Sequence, residues 1–187
     1  MKKYEKTLET NYLFQGKVVN LRIDRVKLPN GKESVREVVE HAGAVGIVPV
    51  SADNKIILVK QFRKALDQEI IEIPAGKLDP GERPADCAQR ELQEEIGFKS
   101  GRLEFKFSCY TSPGFSNEII HIFIARDLQE SRIKCDDDEF ITTLEVSLQE
   151  ALHMIKNGMI KDAKSISGIL ALLLEDQDEG FLCRDVM

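Results

Sequence analysis

The sequence has little cysteine, and what it has is scattered. Its four cysteines, Cys87, Cys109, Cys135 and Cys183, include no CxxC pair and follow no regular spacing. This excludes a disulfide framework or a zinc-finger pattern and fits reduced thiols in a cytoplasmic protein. Histidine is scarcer still: His41, His121 and His153 lie too far apart in sequence to suggest a local metal cluster. A basic stripe is lacking, and the formal net charge is -6, so a general nucleic-acid surface is excluded. No helix-turn-helix segment is attached. A small anionic substrate remains permitted, because a bound divalent cation reverses the local field. The longest apolar run, Ile169 to Leu174, is too short to cross a bilayer. The opening stretch MKKYEKTLET lacks the apolar core of a secretory signal. Internal repeats and low-complexity tracts are missing too.

What is present describes an ordinary globular chain. It has 187 residues, 42% of them hydrophobic and 31% charged, enough for one domain with a full core and a small appendage. Residues 1–42 predict an antiparallel β ribbon. Val19, Leu21 and Ile23 alternate, Val26 and Leu28 follow after a shift, and Asn30-Gly31 marks a hairpin turn before Glu33 to His41. Residues 43–187 predict the main domain. Strands are expected at Ala44 to Val50, Lys55 to Phe62, Glu69 to Ile73, Leu103 to Tyr110, Ile119 to Ala125 and Phe140 to Val146. Helices are expected from Pro84 to Ile96, from Leu148 to Asn157 and from Asp162 to Glu175. Pro84 in the first turn and Gly97 just past the end fit the usual asymmetry of helix termini. Interleaved strands and helices point to an α/β or α+β class, with a mixed sheet between helices.

The chemistry concentrates between Gly76 and Phe98. At 100° per residue, Ala85, Ala88, Leu92 and Ile96 form one apolar stripe, and Glu91, Glu94 and Glu95 fall in an arc of about 100° beside it. Carboxylates this close repel one another on a bare helix. One reading is a solvated acidic face. The other is a site for a hard cation, which takes oxygen ligands and suits Mg²⁺ or Mn²⁺. The flanking residues favour the second. Glu82 lies in the loop before the helix, Arg90 directly precedes Glu91, and an ion pair between them would tie loop to helix. The turn Asp79-Pro80-Gly81 lets the chain reverse into that helix.

This stretch resembles the Nudix box, Gly-x5-Glu-x7-Arg-Glu-U-x-Glu-Glu-x-Gly-U, with U an apolar residue. Gly76, Glu82, Arg90, Glu91, Glu94, Glu95 and Gly97 fill the fixed positions, and Leu92 and Phe98 the apolar ones. The resemblance implies a Nudix-type α/β/α sandwich and hydrolysis of a nucleoside diphosphate linked to another group. It implies metal binding by Glu91, Glu94 and Glu95, a catalytic part for Glu94, and a supporting pair of Glu82 and Arg90.

Features outside the box resemble the ADP-ribose pyrophosphatase branch of that family. They are Gln61-Phe62-Arg63, Glu72-Ile73-Pro74-Ala75-Gly76, the Ser-Pro-Gly segment around Pro113 that ends at Glu118, and Ile160 to Ser165. The resemblance implies a metal-ligating Ala75 carbonyl, a diphosphate contact from Arg63, and hydrogen bonds from substrate sugar or base to Glu118. It also implies a homodimer that exchanges its ribbon, with Arg36 reaching the partner's site and Tyr12 or Phe14 stacking on adenine. Ordinary packing is the competing account of those two aromatics. The resemblance further implies a catalytic base in the acidic run Asp136 to Glu139, with Glu139 first and Asp137 second; a solvated loop is the competing account of that run. The expected cofactor is Mg²⁺, with Mn²⁺ a substitute. The expected partner is a nucleoside diphosphate sugar, with neither nucleic acid nor membrane. GDP-mannose is the nearest rival substrate, and a non-catalytic nucleotide-sensing module is the rival of another class.

Overall fold

A computed structural model of the chain describes residues 4–133 and 140–182, with side chains described as far as residue 175. The chain divides into two compact units, Met1–Gly43 with Cys109–Ile119, and Ala44–Ser108 with Ile120–Met187.

The first unit is a three-stranded antiparallel sheet, ordered β1 (Lys6–Gln15), β2 (Asn20–Lys27), β3 (Glu33–Glu40). The Asn30-Gly31 turn closes the β2–β3 hairpin, and Asn30 Oδ1 accepts from Lys32 N at 3.0 Å. The outer strand β1 is exposed along its whole length, so it carries no inside–outside alternation for a sequence to reveal. It interrupts its ladder with β2 at two irregular steps, between Thr7 and Glu9 and between Tyr12 and Phe14, which bend an edge strand away from flat pairing. Thr10 Oγ1 donates to the buried Asp24 carboxylate at 2.8 Å. Residues 109–119 join this unit through β3: Val39 N donates to Phe115 O at 2.8 Å, and Asn117 N to Val39 O at 3.2 Å.

The second unit holds two sheets. One has the order β7 (Ala75–Lys77), β4 (Ala44–Pro49), β9 (Ile119–Glu130), β8 (Phe98–Tyr110). It is mixed, since β4 runs parallel to β9 and antiparallel to β7. The other sheet has the order β10 (Ile141–Ser147), β5 (Lys55–Arg63), β6 (Gln68–Glu72), all antiparallel. Alternate residues of β4 and β9 serve opposite faces, as the pleat requires. Val45, Ile47, Phe123 and Ala125 pack with Cys87, Ala88, Leu92 and Ile96 of the helix α1 (Pro84–Glu91) and the turn that follows it. On the other face, helix α3 (Ala163–Leu182) approaches so closely that a Cβ on Gly168 would lie 2.8 Å from Val48 Cγ2 and 3.1 Å from Ile73 Cδ1. Helices therefore cover both faces of a mixed sheet, which is the α/β/α sandwich expected. The short helix α2 (Leu148–Lys156) starts at a capping box in which Ser147 and Glu150 satisfy each other's backbone N–H groups. Among the described residues, no helix is long and apolar enough to cross a membrane.

One element departs from expectation in a way that bears on the site. The helix does not run as α from Pro84 to Ile96. It is α-helical through Glu91 and continues as a π turn over Leu92–Ile96, closed by Gly97 N donating to Leu92 O. Gly97 ends it with φ 78°, a left-handed conformation that glycine adopts without a Cβ penalty. The wider turn alters the spacing of Glu94 and Glu95 around the axis, so the uniform 100° step does not hold past Glu91. Short π segments recur at functional sites.

Candidate active site

Three elements build the candidate site. Strand β7 pairs with β4 so that Gly76 faces Val45 and Ala75 faces Gly46. The loop after it folds back on itself: Glu82 N donates to Asp79 O, and Asp79 N donates to Glu82 Oε2, both at 3.0 Å. Helix α1 then starts with Pro84, whose missing N–H costs nothing in a first turn.

Arg90 joins these parts. Its Nε donates to Glu82 Oε1 at 3.0 Å and its Nη2 to Glu82 Oε2 at 2.9 Å, a two-pronged grip on one carboxylate. Nη2 also reaches the Lys77 carbonyl at 3.1 Å, which ties helix to strand. Nη1 donates to Glu91 Oε1 at 2.7 Å and to Glu94 Oε2 at 2.9 Å. Glu95 turns the other way and accepts from Ala75 N at 3.0 Å. Thus Ala75, Gly76, Glu82, Arg90, Glu91, Glu94 and Glu95, all named from sequence, are drawn to one place. One guanidinium bonds three of four neighbouring carboxylates, so negative charge is in excess.

Burial and hydrogen bonding shift the ionisation of this cluster. The hydrogen bonds from Arg90 hold the Glu82 carboxyl down at about 2, against its ordinary 4.5. Glu82 raises the Arg90 guanidinium further above its already high range, and burial pushes the Cys87 thiol well up. A group whose pKa is depressed by folding stabilises the fold above its unfolded pKa and stops doing so as pH falls through its folded one. Metal-free protein should therefore lose the Glu82–Arg90 contribution between about pH 4.5 and 2. In acid titrations followed by circular dichroism, Glu82→Gln should flatten that limb of the stability curve. An unchanged limb would show that the pair does not govern acid stability.

Gly76 explains itself sterically. A Cβ placed on it would lie 1.7 Å from Glu91 Oε1 and 1.9 Å from Glu91 Cδ, so only glycine lets that carboxylate lie against the strand. The donors gathered here are hard carboxylate oxygens and nearby peptide carbonyls, which fit a hard divalent cation better than a soft one. Among the described residues, no three His, Cys, Asp or Glu side chains stand ready in ligand geometry. In this structure Glu91 and Glu94 are bonded to Arg90, and Glu95 to Ala75 N.

Other residues named from sequence sit elsewhere. Arg63, at the end of β5, donates from Nε to Glu72 Oε2 at 2.7 Å. In the first unit, Pro113 lies in a turn where Phe115 N and Ser116 N both donate to Ser112 O. Glu118 accepts from Thr111 Oγ1 at 2.6 Å, and its other oxygen lies 3.4 Å from His41 Nδ1. Arg36 is paired with Glu5, its Nε donating to Oε2 at 2.9 Å. Tyr12 and Phe14 are 45% and 57% exposed; the Tyr12 hydroxyl donates to Glu40 Oε1 at 3.4 Å, and the Phe14 ring lies against Gly16. Glu139 and Asp137 lie outside the described residues, as do Cys135 and Cys183, whereas Cys87 and Cys109 are free thiols.

The sequence reading missed a second charged cluster. Glu72, Lys164, Asp162 and Ser165 meet between β6 and the start of α3. Burial alone would raise the Asp162 carboxyl, but Lys164 and hydrogen bonds from Ser165 outweigh it and hold it below its usual range. Both segments, Glu72 to Gly76 and Ile160 to Ser165, carry the family resemblance, but no local pattern joins Glu72 to Lys164, which lies 92 residues on.

Comparison with known proteins gives consistent results. Residues 40–167 match the NUDIX domain, and residues 5–39 match the nucleoside diphosphate sugar hydrolase N-terminal domain. An ADP-ribose pyrophosphatase of Bacillus subtilis (strain 168) is 46% identical over 174 residues, covering 92% of this chain and 94% of that protein. A methanol dehydrogenase activator of Bacillus methanolicus is 45% identical over 174 residues, with the same coverage of 92% and 94%. A crystal structure of an ADP compounds hydrolase superposes with a TM-score of 0.86 at 22% identity, covering 95% of this chain and 97% of that one. At that identity, the likeness concerns the fold.

Proposed function

The chain belongs to the Nudix family, and on that premise we propose that it is a Mg²⁺-dependent cytoplasmic pyrophosphatase that hydrolyses ADP-ribose to AMP and ribose 5-phosphate. The observation that carries this reading is the complete carboxylate cluster of Glu82, Glu91, Glu94 and Glu95 around Arg90 and the Ala75 peptide. The bacillary relative named for this reaction supports the choice of substrate. A bound divalent cation would supply charge neutralisation at the diphosphate and acidification of an attacking water.

The residues themselves divide the work. Glu91, Glu94, Glu95 and the Ala75 carbonyl would hold the cation. Arg90 would yield its bonds to Glu91 and Glu94 while keeping its two-pronged grip on Glu82, so the loop stays fixed as the carboxylates turn. Arg63 would bind the diphosphate, since a guanidinium fork matches phosphate oxygens better than a point charge. Glu118, on the Pro113 turn, would accept from the sugar or base. Glu139, or else Asp137, would take the proton from the attacking water. We further propose a homodimer in which the ribbon serves the partner's site. Arg36 would then leave Glu5 for the partner's substrate, and Tyr12 or Phe14 would stack on adenine.

A substrate panel with Mg²⁺ tests the central reading. ADP-ribose, GDP-mannose, a dinucleoside polyphosphate and an oxidised nucleotide should rank by kcat/KM with ADP-ribose first. GDP-mannose in first place would overturn the substrate assignment but not the chemistry. No turnover of any member would leave a nucleotide-sensing module as the better account. Light scattering tests the dimer, and a fully active monomer would remove the role of Arg36.

A further inference from the structure

Glu72 is almost fully enclosed, with its side chain 3% exposed. A buried carboxylate survives only if it is paired and its lone pairs are satisfied. Glu72 takes a different cation on each oxygen. Oε2 accepts from Arg63 Nε at 2.7 Å, and Oε1 accepts from Lys164 Nζ at 2.5 Å. Lys164, itself 10% exposed, also meets Asp162 at 3.0 Å. Asp162 accepts from Ser165 N at 2.9 Å and from Ser165 Oγ at 2.6 Å, and Ser165 Oγ accepts from Ile73 N at 2.8 Å. The cluster thus balances two cations against two anions and locks β5 and β6 to the first turn of α3.

The three main partners are not equally enclosed. Glu72 is buried and the Lys164 side chain is only 10% exposed, but the Arg63 side chain is 39% exposed. Arg63 is also held at one point, by Nε. Its Nη1 and Nη2 make no hydrogen bond to any described residue, so the fork that recognises phosphate stays open. The anchor lies close along the chain to the metal platform: Glu72 precedes by three positions Ala75, whose N–H holds Glu95.

We infer that Glu72, braced by Lys164, is a positioning residue that clamps Arg63 by Nε and so presents its Nη fork to the substrate diphosphate. The inference rests on the proposed role of Arg63 in ADP-ribose hydrolysis. Steady-state kinetics with ADP-ribose and Mg²⁺ test it in wild type, Glu72→Gln, Arg63→Ala, the double variant, and Lys164→Met. Glu72→Gln should raise KM about tenfold and change kcat less than about threefold. In the Arg63→Ala background the same change should move KM less than about twofold, because its route of action is gone. Lys164→Met should raise KM about threefold, with the same dependence on Arg63. An equal loss in both backgrounds would assign the cluster to packing alone and overturn the inference, as would an unchanged KM in Glu72→Gln. If Glu72→Gln does not fold, Lys164→Met in the two backgrounds decides by the same criterion. Active wild type with an unaffected Arg63→Ala variant would remove this inference and leave the hydrolase reading intact. Inactivity of wild type on every nucleoside diphosphate sugar would overturn the hydrolase reading first, and this one with it.

Discussion

Glutamine in place of Glu94 or Glu95 should cut kcat for ADP-ribose by about 10³-fold and leave the metal-free fold as stable as before. The two halves of that expectation have one cause. Three carboxylates share a single guanidinium, a fourth, Glu95, lies on the same turn against Ala75 N, and like charges at this spacing destabilise a helix turn. Removing one charge relieves repulsion, so melting temperature without metal should hold or rise slightly. Glutamine keeps the shape and still offers an amide oxygen, so Ala75 N can keep its partner at position 95. What it loses is the negative charge that strengthens the hold on a hard cation. Added Mg²⁺ should therefore stabilise the wild type through linkage and stabilise the variants less. Differential scanning calorimetry with Mg²⁺ or EDTA reads the second effect, and steady-state assays read the first. Wild-type rates in both variants would sink the metal assignment. Lost rates with collapsed melting temperatures would mean instead that these glutamates hold the fold.

Why the sequence revealed some of this and hid the rest follows from how far apart the partners lie. The Glu82–Arg90 and Glu94–Arg90 bonds span 8 and 4 residues, so the spacing along one loop and helix already implies them. The Asn30-Gly31 hairpin is local in the same sense. Glu72 and Lys164 are 92 residues apart, and no periodicity links them. The same holds for residues 109–119, which join the first unit through backbone bonds to Val39 and a bond from His41 N to Asn117 Oδ1, partners 76 residues apart that no spacing links. Strand β1 falls within the expected ribbon of residues 1–42, but its bounds leave no pattern because it is exposed along its whole length, and β7 leaves none because three residues are too few to alternate. The π turn was hidden for another reason. Its apolar residues, Leu92 and Ile96, keep the spacing of an α-helix, and only the backbone bond from Gly97 to Leu92 betrays the wider ring.

A methyl group at position 76 should be nearly as damaging to activity as the loss of a metal-site charge. Gly76→Ala places a Cβ 1.7 Å from Glu91 Oε1 and 2.4 Å from Glu91 Oε2, a collision that no relaxation of a few tenths of an ångström resolves. One of the two groups must move. Strand β7 is pinned to β4 by its register with Val45 and Gly46, whereas Glu91 is the end of a flexible side chain. The carboxylate should therefore yield, leave its bond to Arg90 Nη1, and vacate its place in the cluster. Overpacking of this kind costs about 1–3 kcal/mol. The activity cost should be larger, about 10²-fold or more in kcat, because a displaced Glu91 cannot ligate where the other carboxylates do. A double-mutant cycle separates the two causes. If the collision is with the carboxylate, Gly76→Ala should cost far less stability in a Glu91→Ala background than in wild type, as read by urea midpoints. Equal costs in both backgrounds would place the clash in the backbone instead, and Glu91 would lose its claim to be the reason position 76 is glycine.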